Sequence, residues 1–463
     1  MNDQKLQLMR TGNMPEVLAR LGIPTMVGMM VSALYSVVDA YFVGGLGTSQ
    51  MGAIAVVFPV VQVIVGLGMT FGSGAASYIA RMLGKGDAQA ANHTAATALY
   101  TSLAVGAVAI LLSLAHLDRI LTALGATSTI LPYARAYASI YIAGSILNVF
   151  NITMNNIITA EGRSTLTMVS MCIGGGLNVV LDPLFIYPLG FGIRGAAIAT
   201  VISQVATACL YFWYIGCKKG YLRFAPSLFS FDKTIFMEIF KVGVPILVFQ
   251  LLTSISLGLS NTAATTYGDS AVAAVGVVTR ILTLGTYVIF GYMKGYQPVV
   301  GYNYGAGRND RVRQATKLSL LWSTVFCIVA AGLMLIIPKQ IINLFTTGDA
   351  DLSTIGAHML WANGLVFPLF GFQMVTMALF LAMGKGKEGG ILSISRQGLF
   401  FVPAILLLPH FFGVNGIIWA QPVADAATDI LAIILVLRLH KELSATSKDN
   451  LKKAMSTNSD TTV

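Results

Sequence analysis

The segment FGIRGAAIAT, Phe191 to Thr200, returns 221 residues later as FGVNGIIWAQ, Phe412 to Gln421. Three more blocks keep that offset. LGIP (21–24) falls on VGVP (242–245). MGAIAVV (51–57) falls on VAAVGVV (272–278), with Gly47 on Gly268. LGKGDAQAA (83–91) falls on YGAGRNDRV (304–312). One constant offset across four distant blocks marks an internal duplication, and the duplication decides how the rest is read.

The chain has 463 residues, 56 % hydrophobic and 10 % charged, too little charge to cover a water-facing surface. Twelve apolar runs are long enough to cross a bilayer, at roughly 15–42, 51–80, 92–115, 129–158, 165–187, 193–217, 237–265, 272–300, 313–337, 352–382, 388–409 and 414–438. Each half holds six. Six is even, so both halves enter the membrane in the same direction, as parallel repeats about an axis along the membrane normal. The expected fold is an all-α polytopic membrane protein of two six-helix lobes, 1–217 and 237–463, joined by a cytoplasmic linker, 218–236. Strands alternating over about ten residues, as in an outer-membrane barrel, do not occur.

Charge distribution orients the chain. Twenty Lys and Arg fall at the two ends and in the loops on their side, among them Arg81, Arg163, Lys218, Lys219, Arg308 and Lys385; the opposite loops hold Arg119, Arg194 and Lys339. The positive-inside rule puts both termini in the cytoplasm. The net charge of +10 is then an orientation signal, not a nucleic-acid surface. The polar first fourteen residues argue against a cleaved signal peptide. Cys172, Cys209, Cys217 and Cys327 lie in or beside apolar segments and read as buried reduced thiols. The run GLGMTFGSG (66–74) lacks dinucleotide spacing and sits in a span, where it suits close helix packing. The sequons at Asn92 and Asn151 fall in a cytoplasmic loop and a span. No nucleotide-binding lysine loop, HExxH or nucleophile elbow occurs, so neither ATP nor hydrolysis is implied.

Aligned positions that differ show what each half does alone. Asp39 falls on Ser260, Asp182 on Pro403 and Thr200 on Gln421, so the acidic pair belongs to the first half. Asn178 and Asp182 are four apart and share one helix face. Pro183 cannot donate to the carbonyl of Val179 and leaves it free. Asp39, Asp182 and Thr200 all lie in the outer half of the membrane. Buried charges at one depth cost about 2.5–3.5 kcal/mol each on insertion scales, so they mark function; two carboxylates, an amide and a hydroxyl suit a proton or sodium. The plainer alternative is that each aspartate caps a helix or pairs with a structural base.

VVDAYFVGGLG, NVVLDPLFI, GIRGAAIATVISQ and PVVGYNYGAGR resemble segments of the multidrug and toxic compound extrusion (MATE) transporters, in the bacterial MepA/DinF-like branch. The resemblance covers nearly the whole chain. It implies a V-shaped, monomeric antiporter in the bacterial plasma (inner) membrane, without cofactor, that exports organic, often cationic or amphipathic drugs against protons or sodium. It implies a coupling site at Asp39, Asn178, Asp182 and Thr200, with Tyr35 and Tyr137 near it. Pro24 matches a proline at which span one is thought to bend; a static kink is the equal alternative.

The second half departs from related drug pumps by being basic where they often carry a carboxylate. Arg280, Tyr287 and Lys294 are spaced by sevens on one stripe, with Gln297 close by. They either line the cavity or do ordinary work: Lys294 snorkelling to the cytoplasmic face, Arg280 pairing with Asp269. Arg396 is expected to pair structurally with Asp429 or Asp425. Asn148, Asn151 and Asn155 form a polar stripe that either lines the cavity or bonds between helices. Met26, Met29, Met30 and Met69 read as packing before an adaptable wall. Two rival functions stand: a lipid-linked precursor flippase of the same superfamily, and an integral-membrane enzyme or receptor, which would need a catalytic constellation or a soluble domain.

Overall fold

The computed structural model describes residues 4–217, 220–345 and 350–459. Lys218 and Lys219, counted above in the basic linker, lie outside the described residues. The expected spans are twelve helices: α1 (Met14–Gly44), α2 (Thr48–Lys85), α3 (Ala88–Ala115), α4 (Leu131–Ala160), α5 (Ser164–Ile186), α6 (Gly192–Gly216), α7 (Lys233–Thr265), α8 (Asp269–Gly305), α9 (Asn309–Ile336), α10 (Ala350–Ala382), α11 (Gly386–Phe412) and α12 (Val414–Ser459). Eleven of them, α1 to α11, are each long and apolar enough to cross a membrane. In hydrocarbon every backbone polar group must be satisfied within its own segment, which is why the apolar runs become helices.

Several features went unforeseen. A helix, Gln4–Thr11, precedes α1, and α12 continues well past residue 438. Short helices follow α3 (Leu117–Ala123) and α9 (Pro338–Asn343), beginning at positions related by the same 221-residue offset. α11 is not uniform: Ser395–Phe400 is a π-helical turn between two α-helical pieces. α1 runs unbroken through Pro24, where the Thr25 hydroxyl donates to the carbonyls of Leu21 and Gly22, each at 3.0 Å.

The lobes meet through α1 against α8 and α2 against α7 and α8, in the halves nearest the termini. The duplication is visible at that seam. A methyl added to Gly74 of α2 would overlap the carbonyl of Ile239 in α7; its repeat mate Gly295 of α8 abuts the carbonyl of Leu21 in α1. Gly84 abuts Tyr302 in the same way, and its mate Gly305 abuts Arg81. Small residues let membrane helices approach to backbone contact, where dispersion replaces the missing hydrophobic drive. Gly66, Gly68, Gly72 and Gly74 of the glycine-rich run all face a neighbouring helix, as its composition suggested.

Polar contacts reinforce the seam. Arg81 of α2 pairs with Glu238 of α7 at 2.5 Å, and Ser77 donates to the Leu381 carbonyl of α10 at 2.6 Å. The segments leading into each lobe cross to the other. Arg311 at the start of α9 donates to the carbonyls of Met9 and Gly12, ahead of α1. The stretch ahead of α7 lies on α3: Tyr100 donates to the Phe224 carbonyl at 2.7 Å, and Arg223 N–H to Asn92 at 2.8 Å. The cysteines correct one expectation. Cys327 is buried and Cys172 half-buried, but Cys209 and Cys217 are exposed, toward the C-terminal end of α6 near the exposed Phe212 and Trp213.

Candidate functional site

In the first lobe α1, α5 and α6 bring the four predicted polar residues together. Asp182 is 0 % exposed, on the face of α5 that also carries Asn178 one turn earlier. The Asn178 amide donates to Asp182 Oδ1 at 3.0 Å and to Thr200 Oγ1 of α6 at 3.3 Å. Asp39 enters from α1, its carboxylate within hydrogen-bonding reach of that of Asp182. Two carboxylates at this separation repel unless a positive charge is shared between them.

Three oxygens here, Asp39 Oδ1, Asp182 Oδ2 and Asn178 Oδ1, are buried without a hydrogen-bond partner. An orphaned buried oxygen is costly, and three on neighbouring residues make this an acceptor-rich cradle. The donor set is all oxygen, the chemistry of a proton or a hard monovalent cation.

Aromatic groups wall the cradle. Tyr35, one turn before Asp39, and Tyr137 on α4 both lie within electrostatic reach of Asp39 and Asp182. Tyr137 stacks on Tyr141 with centroids 5.6 Å apart. Tyr141 was missed by the sequence reading, although its i,i+4 spacing from Tyr137 could have flagged it. Tyr287 of α8 also lies within electrostatic reach of Tyr35, so that part of the stripe is near the first lobe.

The remaining candidates separate. Lys294 does not snorkel: its ammonium donates to Asn155 Oδ1 across the seam. The Asn155 amide donates to Tyr211 at 2.9 Å, and Tyr211 meets Ser170 at 2.5 Å, a polar chain from α8 through α4 and α6 to α5. Arg280 is exposed and forms no ion pair with Asp269 among the described residues. Asn151 donates to the Gln204 carbonyl at 2.9 Å, which serves packing of α4 on α6. Gln297 is half-buried on α8 beyond Lys294. Of the two partners expected for Arg396, the structure selects Asp425, with Nε at 2.8 Å and Nη2 at 3.3 Å. Asp429 is left out of the pair.

Twelve membrane helices in two duplicated lobes, with a buried polar cradle in one of them, define a multi-pass membrane transporter. The family model described as MatE matches this chain twice, over residues 24–184 and 245–406, once per half. The chain belongs to the MatE family. It is 27 % identical over 452 residues to the multidrug export protein MepA of Staphylococcus aureus (strain MSSA476), covering 97 % of this chain and 99 % of that protein. Among solved structures, it is similar to the outward-facing conformation of a multidrug resistance MATE family transporter of the MOP superfamily, with TM-score 0.90, 30 % identity, and coverage of 97 % and 100 %. It is similar also to a MOP superfamily transporter from Pyrococcus furiosus described as having a binding pocket of reverse polarity, with TM-score 0.87, 31 % identity, and coverage of 94 % and 97 %.

Proposed function

We propose that this chain is a secondary active antiporter that exports organic, often cationic or amphipathic compounds in exchange for protons or sodium. The carrying observation is the Asp39–Asp182 contact with its three unpartnered oxygens, set inside a membrane lobe. Both termini lie in the cytoplasm, and the lobes are 1–217 and 237–463 with 218–236 between them. The multidrug role of MepA, matched over nearly the full length, supports the substrate class.

The cradle takes up a proton or sodium while the lobes are parted on the far side. Loading cancels the repulsion between the two carboxylates and lets α1 close on α5. Drug and cation then disfavour each other's binding, and linkage makes that antagonism reciprocal. Pro24 is the hinge of α1: with no N–H to donate, that turn bends at less cost than its neighbours.

Dye efflux from proteoliposomes, driven separately by a pH step and a sodium step, tests the proposal. Asp39→Asn and Asp182→Asn should each lose uphill transport under the driving step. Variants that pump like the parent refute the coupling role. A lipid-linked precursor flippase is the second reading, favoured by Lys294 at the seam. It predicts movement of fluorescent lipid analogues without a cation step, and Lys294→Met should abolish that movement.

A further inference from the structure

The second lobe holds a carboxylate that none of this uses. Asp429 on α12 is 4 % exposed, and neither of its oxygens has a hydrogen-bond partner. It lies one turn beyond Asp425, within electrostatic reach of both Asp425 and Arg396. The guanidinium is already committed. It grips Asp425 through two nitrogens and stacks over the Phe370 ring at 4.8 Å. Asp425 Oδ1 also accepts from Gln421 at 2.7 Å.

The cluster therefore contains one fixed positive charge and two carboxylates, inside the membrane. A buried carboxylate without donor or cation is the expensive case, and one more positive charge balances the set. A hard metal cation needs several oxygens at once. Asp425 has both of its oxygens engaged, so the two oxygens of Asp429 are the carboxylate oxygens left to offer, and no cluster of three His, Cys, Asp or Glu that could hold a metal occurs among the described residues. A proton needs one oxygen.

We propose that Asp429 is a proton-binding site in the second lobe, distinct from the Asp39–Asp182 cradle. The charged groups that act on it are Asp425 from its own helix and Arg396 from the π turn of α11. The ionisable residues of the other segments packed on α12 sit toward helix ends: Asp351 and His358 on α10, Lys233, Glu238 and Lys241 on α7, Lys387 and Glu388 at the start of α11 and His410 at its end. Glu238 is held by Arg81. Arg396 leaves α11 within the π turn, where the Gln397 carbonyl accepts from Ser256 of α7 at 2.8 Å. Proton uptake at Asp429 thus changes the charge that Arg396 meets at a π turn, a helix irregularity frequent at functional sites.

The site does not depend on the coupling role proposed for the first lobe, and the test keeps the two apart. Full-length protein in lipid nanodiscs is titrated with pH while infrared difference spectra follow the protonated-carboxyl stretch. The parent, Asp429→Asn, Asp429→Glu and the Asp39→Asn/Asp182→Asn double variant are compared. The expected result is a protonated-carboxyl band that persists in the double variant, vanishes in Asp429→Asn and moves in Asp429→Glu. A band that survives Asp429→Asn unchanged, or one that is lost in the double variant, overturns the proposal. If Asp429→Asn does not fold, an unmoved band in Asp429→Glu overturns it equally.

Discussion

In the first lobe two carboxylates face each other; in the second, at positions that are not their repeat mates, a carboxylate faces a guanidinium. Asp39 and Asp182 meet around unpartnered oxygens, whereas Asp425 is gripped by Arg396 and Gln421. The seam between the lobes remains a duplicate, down to its glycine pairs, although α11 carries a π turn at Arg396 that α5 lacks. Packing keeps the symmetry because each lobe must fit the other at the seam; the buried polar residues are free of that constraint, and they differ. Under the proposed function the acceptor-rich site takes the cation. A neutralised pair is poised to stay put.

The comparison can be broken most forcefully at Asp182. Asp182→Asn removes a carboxylate from a fully buried position and should abolish gradient-driven dye efflux while leaving melting temperature close to that of the parent. Retained efflux would make the first lobe as inert as the Arg396–Asp425 pair.

Arg396→Met should act on stability instead. Stripping one partner from a buried pair leaves an uncompensated charge and costs about 3–5 kcal/mol. Adding Asp425→Leu should recover much of that loss. A double variant no more stable than the single one, by thermal unfolding in detergent, would deny that the pair is structural.

The seam offers a sharper, smaller test. Gly74→Ala and Gly295→Ala each set a methyl against a backbone carbonyl at repeat-related contacts and should each cost about 1–3 kcal/mol by overpacking. Equal losses would confirm that the two crossings are equivalent, and a large inequality would show that the symmetry of the seam is only geometric.

The smallest effect concerns Glu161, in the turn between α4 and α5. It accepts from Tyr214 at 2.8 Å and from the backbone N–H of Tyr221. Burial pushes its carboxyl above the ordinary value, with the Tyr221 N–H, the Tyr214 hydroxyl and Arg163 pulling partly back. A carboxyl raised in the folded state favours folding when protonated. Its contribution is greatest below the unfolded value and declines as pH rises from there through the folded value. Melting temperature should therefore rise as pH falls from neutral toward the carboxylate range, and Glu161→Gln should flatten that slope.

Much of the architecture was legible in advance because its causes are local. Helix length against bilayer thickness sets the spans, and a constant offset of 221 between repeat blocks sets the pairing of lobes. The cradle was legible for a related reason. Asn178 and Asp182 share a face by helical period, and Asp39 differs from its repeat mate where charge in the membrane is costly.

Other choices belonged to tertiary structure. Asp425 and Asp429 stand four apart on one face, equally available to Arg396 by periodicity; the axial offset of α11 against α12 selects between them, and the π turn enters that offset. Whether Lys294 reaches water or Asn155 depends on how the lobes meet, and so does the crossing of each leading segment onto the opposite lobe. Periodicity places a side chain around a helix. The rigid-body placement of one helix against another, set by packing summed over many residues, decides what that side chain touches.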